Sequence, residues 1–269
     1  MANSEITEVV IPEGTTEINN NEFLGYTALT SVIIPNSVTK IGRHAFSHCT
    51  SLTSITIPDS VTEIVECAFW DCTALASITI PDSVTRISRY TFNGCTSLTS
   101  ITIPNSVRGI HEYAFNGCVS LTSINIPNSV VMIDDSTFWG CTSLTSIVIP
   151  DSVTKIGWST FKNCTSLTSI TIPSSVTEIG ESAFEGCREL TIYTPKGSRA
   201  AKYAKENKIR VQYIEESAEG PSSPKNKRRW RVPLIAALAI TDILAGLQFA
   251  KIININIPEI IRLIANLFQ

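Results

Sequence analysis

Leu98-Thr99-Ser100-Ile101-Thr102-Ile103-Pro104-Asn105-Ser106-Val107-Arg108-Gly109-Ile110-His111-Glu112-Tyr113-Ala114-Phe115-Asn116-Gly117-Cys118 is one unit of a pattern that runs along most of the chain. Proline recurs every 23 residues at Pro12, Pro35, Pro58, Pro81, Pro104, Pro127, Pro150 and Pro173. Phenylalanine keeps the same interval from Phe23 through Phe46, Phe69, Phe92, Phe115, Phe138 and Phe161 to Phe184. Leucine does so from Leu29 to Leu190. A fixed period of this length marks a repeat architecture, in which one unit cannot bury its apolar face alone and needs a neighbour stacked on it.

Each fixed position has a physical role. Leu98, Ile101 and Ile103 alternate with polar residues, as in a strand with one buried face. Proline then ends the strand, since it has no N–H to donate. Pro-Asp-Ser and Pro-Asn-Ser are turn sequences. Val61 and Ile64 re-enter the core, and Phe69 plugs the far side of the coil. Stacking would give continuous Leu, Ile, Val and Phe columns, with coils about 4.8 Å apart and a parallel sheet along one face. Cysteine forms a further column from Cys49 to Cys187. It lacks the short C-x-x-C spacing of a zinc site, and stacked parallel side chains disfavour disulfides. The column therefore reads as small buried residues that are inert as thiols. Cys67 lies off it, where neighbouring coils carry His44, Tyr90 and Tyr113, and a free reactive thiol is open there.

The combination of I-P-D-S-V-T-x-I-G with A-F-x-x-C-T-S-L-T-S-I resembles the BspA-like leucine-rich repeats. The match covers about residues 5–214. It implies an α/β-class leucine-rich-repeat solenoid, β-rich and right-handed, with about eight coils and a C-terminal helix–strand cap over 190–214. Within that cap, Arg199–Asn207 reads as a helix and Ile209–Ile214 as a last strand. The resemblance also implies adhesion and protein–protein binding, often at a cell surface, and no enzyme activity. The first coil, built from Ile6, Val9, Ile11, Ile18 and Phe23, has almost nothing before it and reads as uncapped. Pairing of this edge with another copy or with a neighbouring domain is expected.

Composition narrows the function classes. The 269 residues are 43% apolar and 17% charged, which excludes disorder for most of the chain. Net charge is −3, but residues 1–220 hold 14 basic and 22 acidic residues, a net of −8. Such a body is a poor nucleic-acid partner, because phosphate binding needs clustered Lys and Arg. No secretory signal is visible at the N-terminus, which has neither a basic nor an apolar leader region.

Near-identical repeats that differ at a few positions reveal where solvent or a partner is felt. Those positions give the candidate protein-binding residues Arg43, His44, Trp70, Arg89, Tyr90, His111, Tyr113, Trp139 and Trp158. Trp, Tyr and Arg are enriched at binding hot spots, and on a stacked rod these would form a stripe. The competing reading is neutral drift on a solvated face. The Ser/Thr ladder of the sheet face (Ser54, Ser77, Ser100, Thr79, Thr102) is uniform and a poorer recognition surface. No cofactor, metal or catalytic residue is expected. None of His44, His48 and His111 has metal spacing, and G-x-S-x-G, P-loop and G-x-G-x-x-G motifs are missing. Asn163-Cys164-Thr165 matches a glycosylation sequon but falls on the cysteine column, and is discounted.

Residues 215–231 read as a basic linker ending in Lys225, Lys227, Arg228, Arg229, Trp230 and Arg231. The apolar tail 232–269 follows. Residues 232–250 are about long enough to span a bilayer, although Asp242 sits at their centre at a cost of about 2.5–3.5 kcal/mol. Two functions follow. One is a non-catalytic, adhesion- or scaffold-type protein binder, of unidentified protein partner, attached to a membrane by 232–250. The other is a soluble structural or assembly protein, whose apolar tail or first coil drives oligomerisation. Location follows the same division, membrane-attached in the first case and otherwise cytoplasmic.

Overall fold

The computed structural model describes residues 5–215. Every coil turns the repeat into three sides. On the first side, short strands lie parallel and in register one repeat apart: Glu8–Val10, Ser31–Ile33, Ser54–Ile55, Ser77–Thr79, Ser100–Thr102, Ser146–Val148 and Ser169–Thr171. The alternation of Ser100, Ile101 and Thr102 is realised as exposed, buried, exposed. This ladder is interrupted twice: Ser31–Ile33 and Ser54–Ile55 fall in separate sheets, and at 123–125 no strand forms and the flanking bonds are long, 3.5 Å from Thr122 N to Thr99 O and 3.3 Å from Thr145 N to Thr122 O.

The Pro-Asn-Ser turn follows, closed by Val107 N donating to Pro104 O at 3.1 Å. Its serine does more than turn the chain. The Ser106 hydroxyl donates to Val84 O of the preceding coil at 2.6 Å, and Ser60, Ser129, Ser152 and Ser175 repeat the bond. The second side carries two further parallel ladders of two-residue strands, one from Glu17–Ile18 to Glu63–Ile64 and one from Arg86–Ile87 to Glu178–Ile179. Its outward residues alternate in charge from Glu17 to Arg86, giving the Glu17–Lys40 pair at 2.9 Å and the Glu63–Arg86 pair at 2.8 Å.

The third side has no strand, yet its backbone also bonds coil to coil: Phe46 N donates to Ala68 O and Phe92 N to Ala114 O, both at 2.9 Å. Inside, the eight phenylalanines stack with centroids between 5.3 Å and 5.7 Å and planes within 13°. The cysteine column runs beside them, all free and buried. Each thiol in it, from Cys49 to Cys187, donates to the carbonyl of a phenylalanine in the preceding coil, as Cys118 Sγ does to Phe92 O at 3.2 Å. Burial pushes Cys49 and Cys141 up to about 12. Burial also raises Cys67, which is 4% exposed, so the expectation of a reactive thiol there is corrected.

About nine turns result, one more than the eight repeats suggest, because the closing segment adds its own. It forms the strand Thr191–Pro195, the helix Arg199–Glu206 and the strand Arg210–Ile214, which pairs with Thr191–Pro195. Ser198 caps the helix by accepting from Ala201 N at 3.0 Å. Tyr203 meets Phe184 edge-on at 5.8 Å and closes the phenylalanine column. At the other end Tyr26 covers Phe23 edge-on at 5.5 Å. The aromatic column is therefore covered at its start, but on the outer face of the first-side strands Val10 and Ile33 stand 68% and 62% exposed. Asn163 and Thr165 are exposed although Cys164 is buried, so burial does not remove the sequon. The linker and the tail, with the membrane expectation for 232–250, lie outside the described residues. Among the described residues no helix is long and apolar enough to cross a membrane.

Candidate functional site

The third side turns its corners by left-handed backbone at two places in each coil. One column comprises Asn21, His44, Cys67, Tyr90, Tyr113, Ser136, Ser159 and Ser182, all with φ between 52° and 60°. The other comprises Gly25, His48, Asp71, Gly94, Gly117, Gly140, Asn163 and Gly186. This region costs a non-glycine residue about 1–2 kcal/mol. Three coils nevertheless carry a histidine or tyrosine in the first column, and there the rings meet.

Trp70 lies between His44 and His48, with centroids 5.6 Å from each. It reaches Tyr90 at 6.1 Å. Tyr90 stacks on Tyr113 at 4.7 Å with planes 3° apart, and Tyr113 reaches Trp139 at 6.5 Å. Lys162 ends the row, its ammonium 5.9 Å from the Trp139 ring and 2.9 Å from Glu185. His44, Trp70, Tyr90, Tyr113 and Trp139 are all half-buried. Burial, then the nearby Arg43 and His48, pulls His44 below the usual imidazole range. Its Nδ1 lies 3.0 Å from Ser47 Oγ, and that hydroxyl donates to Cys67 O at 2.7 Å. Burial also raises Tyr90.

A polar margin runs beside the rings. Arg89 donates from Nε and Nη2 to the two carboxylate oxygens of Glu112, both at 2.6 Å. His111 Nδ1 lies 2.9 Å from Asp134 Oδ2. Arg43 is exposed at the first end of the row, its backbone N–H held by Asn20 Oδ1 at 2.7 Å. Trp158 stands elsewhere. It occupies the column of Arg43, Arg89 and Glu112, is 64% exposed, and makes no ring contact among the described residues. Its indole rests against Gly180, where a Cβ would fall 2.3 Å from Cδ1 and 2.5 Å from the Trp158 backbone nitrogen. A shallow groove beside it is lined by Lys155, Glu178 and Arg199.

Of the nine candidate residues, five thus form the row, Arg89 and His111 form its margin, Arg43 flanks it, and Trp158 does not join it. Glu112, Asp134, His48 and Lys162 complete the surface without being among the nine. The signal for two of them was in the sequence: Arg89 and Glu112 are opposite charges, and His111 and Asp134 an imidazole and a carboxylate, each pair one repeat apart.

This surface sits on a fold with known relatives. The family model of the BspA type leucine rich repeat region matches six copies here, over residues 1–85 and 67–191. The chain belongs to the BspA-type leucine-rich-repeat family. Among solved structures, this BspA-type chain is similar to a leucine-rich repeat protein from Bacteroides ovatus, at 30% identity and a TM-score of 0.65. The likeness covers 72% of this chain and 56% of that one, so the chain spans little more than half that relative's length. It is also similar to the leucine-rich repeat protein of T. pallidum, at 28% identity and a TM-score of 0.52, over 61% of this chain and 87% of that one. A leucine rich cell surface protein from Faecalibacterium prausnitzii is 25% identical over 74% of this chain and 90% of its own, with a TM-score of 0.35. No curated protein matches.

Proposed function

We propose that this BspA-type chain is a non-catalytic protein-binding module whose docking surface is the aromatic row and its polar margin. One observation carries the reading: successive coils place half-buried rings in continuous contact from His44 to Trp139, partly on backbone positions where glycine would cost less. Rings held in a rigid row lose little entropy on binding, and Trp and Tyr dominate hot spots. Contact running through five successive coils supports this reading over neutral drift. Adhesion or scaffolding is the form of binding the family suggests.

The test uses a photo-crosslinking residue at Asn116, beside the row, and at Thr102, on the sheet face. The reading expects protein capture from Asn116 that disappears in a Trp70→Ala/Tyr113→Ala variant. Equal capture from Thr102, or capture indifferent to the double substitution, contradicts it.

A second reading rests on the exposed Val10 of the first coil and Ile33 of the second, and on the Glu8–Val10 strand, which pairs on one side with Ser31–Ile33. Such an edge is a template for pairing, and assembly of copies through it follows. Sedimentation of the wild type and of Val10→Lys decides: a concentration-dependent dimer lost in the variant supports assembly, and a monomer at all concentrations removes it. Membrane attachment through 232–250 rests on sequence alone.

A further inference from the structure

Three potential metal ligands converge in the margin of the row. His111 and Glu112 are consecutive, and Asp134 follows His111 by one repeat, so stacking brings an imidazole and two carboxylates together. One ligand atom from each lies within 4.8 Å of the other two. Elsewhere the His111 column carries Gly42, Val65, Ser88, Gly157 and Gly180, so the arrangement belongs to this pair of coils alone.

Two neighbours shape it. Position 109 is a glycine where other coils carry Lys40, Glu63, Arg86, Lys155 or Glu178. The imidazole lies over it, with Nε2 3.5 Å from where a Cβ would be. A long side chain there would compete for that space. Arg89 meanwhile holds Glu112 by two bonds. An ionised carboxylate has about four lone-pair sites, so two remain for a cation, and a hydrogen-bonded outer partner of this kind fixes a ligand's orientation. Glu112, Asp134 and the adjacent Asp135 outweigh the single Arg89 in charge.

We propose that His111, Glu112 and Asp134 bind a divalent first-row transition ion of the zinc type. One nitrogen and two oxygens suit such an ion, which sits about 2.0–2.2 Å from each ligand. Donors must then approach to about 3–4 Å of one another, a side-chain adjustment of about 1 Å. Three protein ligands leave coordination positions for water or for a group on another molecule. Affinity weakens in acid, because a protonated imidazole cannot coordinate. The site does not depend on the docking role of the aromatic row.

Calorimetric titration of the untagged full chain with Zn²⁺ tests it, against His111→Gln, Glu112→Gln and Asp134→Asn. One saturable equivalent is expected, weakened at least about tenfold in each variant, while circular dichroism of the metal-free variants matches the wild type. Co²⁺ is the second probe. Its visible absorption should show nitrogen and oxygen ligands and no thiolate charge-transfer band. Absence of saturable Zn²⁺ binding, binding unchanged in all three variants, or a thiolate band from the cysteines each overturns the site.

Discussion

Tyr90 and Tyr113 hold a conformation that disfavours them, with φ of 56° and 57°, and they hold it in contact. Tyr90→Gly relieves about 1–2 kcal/mol of backbone cost and removes a stack worth about 0.5–1.5 kcal/mol. Stability by urea unfolding should change by no more than about 1.5 kcal/mol. Phe115→Ala, inside the coil, should cost about 3–5 kcal/mol. A large loss for Tyr90→Gly would mean the ring is core, not surface. The buried thiols give a second prediction. Folded Cys141 keeps its proton to about 12, while an unfolded thiol loses it near about 8.5. Between those limits the folded chain binds more protons, so stability falls as pH rises, by about 1.4 kcal/mol per pH unit for each such thiol. The urea midpoint should drop from neutral pH to about pH 10, and less steeply in Cys141→Ala. His44 acts in the opposite direction. Its depressed affinity for a proton removes stability as pH falls below 6.5.

Among the elements, the two ladders differ in what sequence could reveal. The columns Leu98, Ile101, Ile103 and Phe115 were legible because burial repeats at a fixed interval. The helix Arg199–Glu206 and strand Arg210–Ile214 were legible because the closing segment resembles the capping unit of the family. The second ladder was not, since two-residue strands such as Lys40–Ile41 have too few residues to show alternation. Nor were the left-handed corners, because His44, Cys67 and Tyr90 share backbone geometry without sharing chemistry. For the site, shared columns could be read from spacing, but not which way a side chain leans. Trp158 therefore looked like part of the row, while Glu112 and Asp134 were missed as partners. The interruption at 123–125 yields its own prediction: amide exchange at Thr122–Asn125 should be faster than at Thr99–Thr102. Asn125→Thr, which restores the residue found at Thr102, should slow it. Equal protection in the wild type would deny the interruption.

At the scale of the molecule, every surface described here is a consequence of stacking. The row exists because residues one repeat apart are neighbours, and the charge pairs and the His111 cluster exist for the same reason. Three edges bond coil to coil, by strand pairing on two sides and by left-handed corners on the third. Stability of such an array is carried by contacts between neighbouring coils, and rigidity follows from a core without gaps in its columns.

The spacing itself can be measured. Nitroxide labels at Asn36 and Asp151, both exposed and five repeats apart, report it by pulsed electron–electron resonance. Coils stacked at strand spacing place these positions about 24 Å apart, as a single narrow distribution. A broad distribution, or a distance well away from that value, would contradict register stacking.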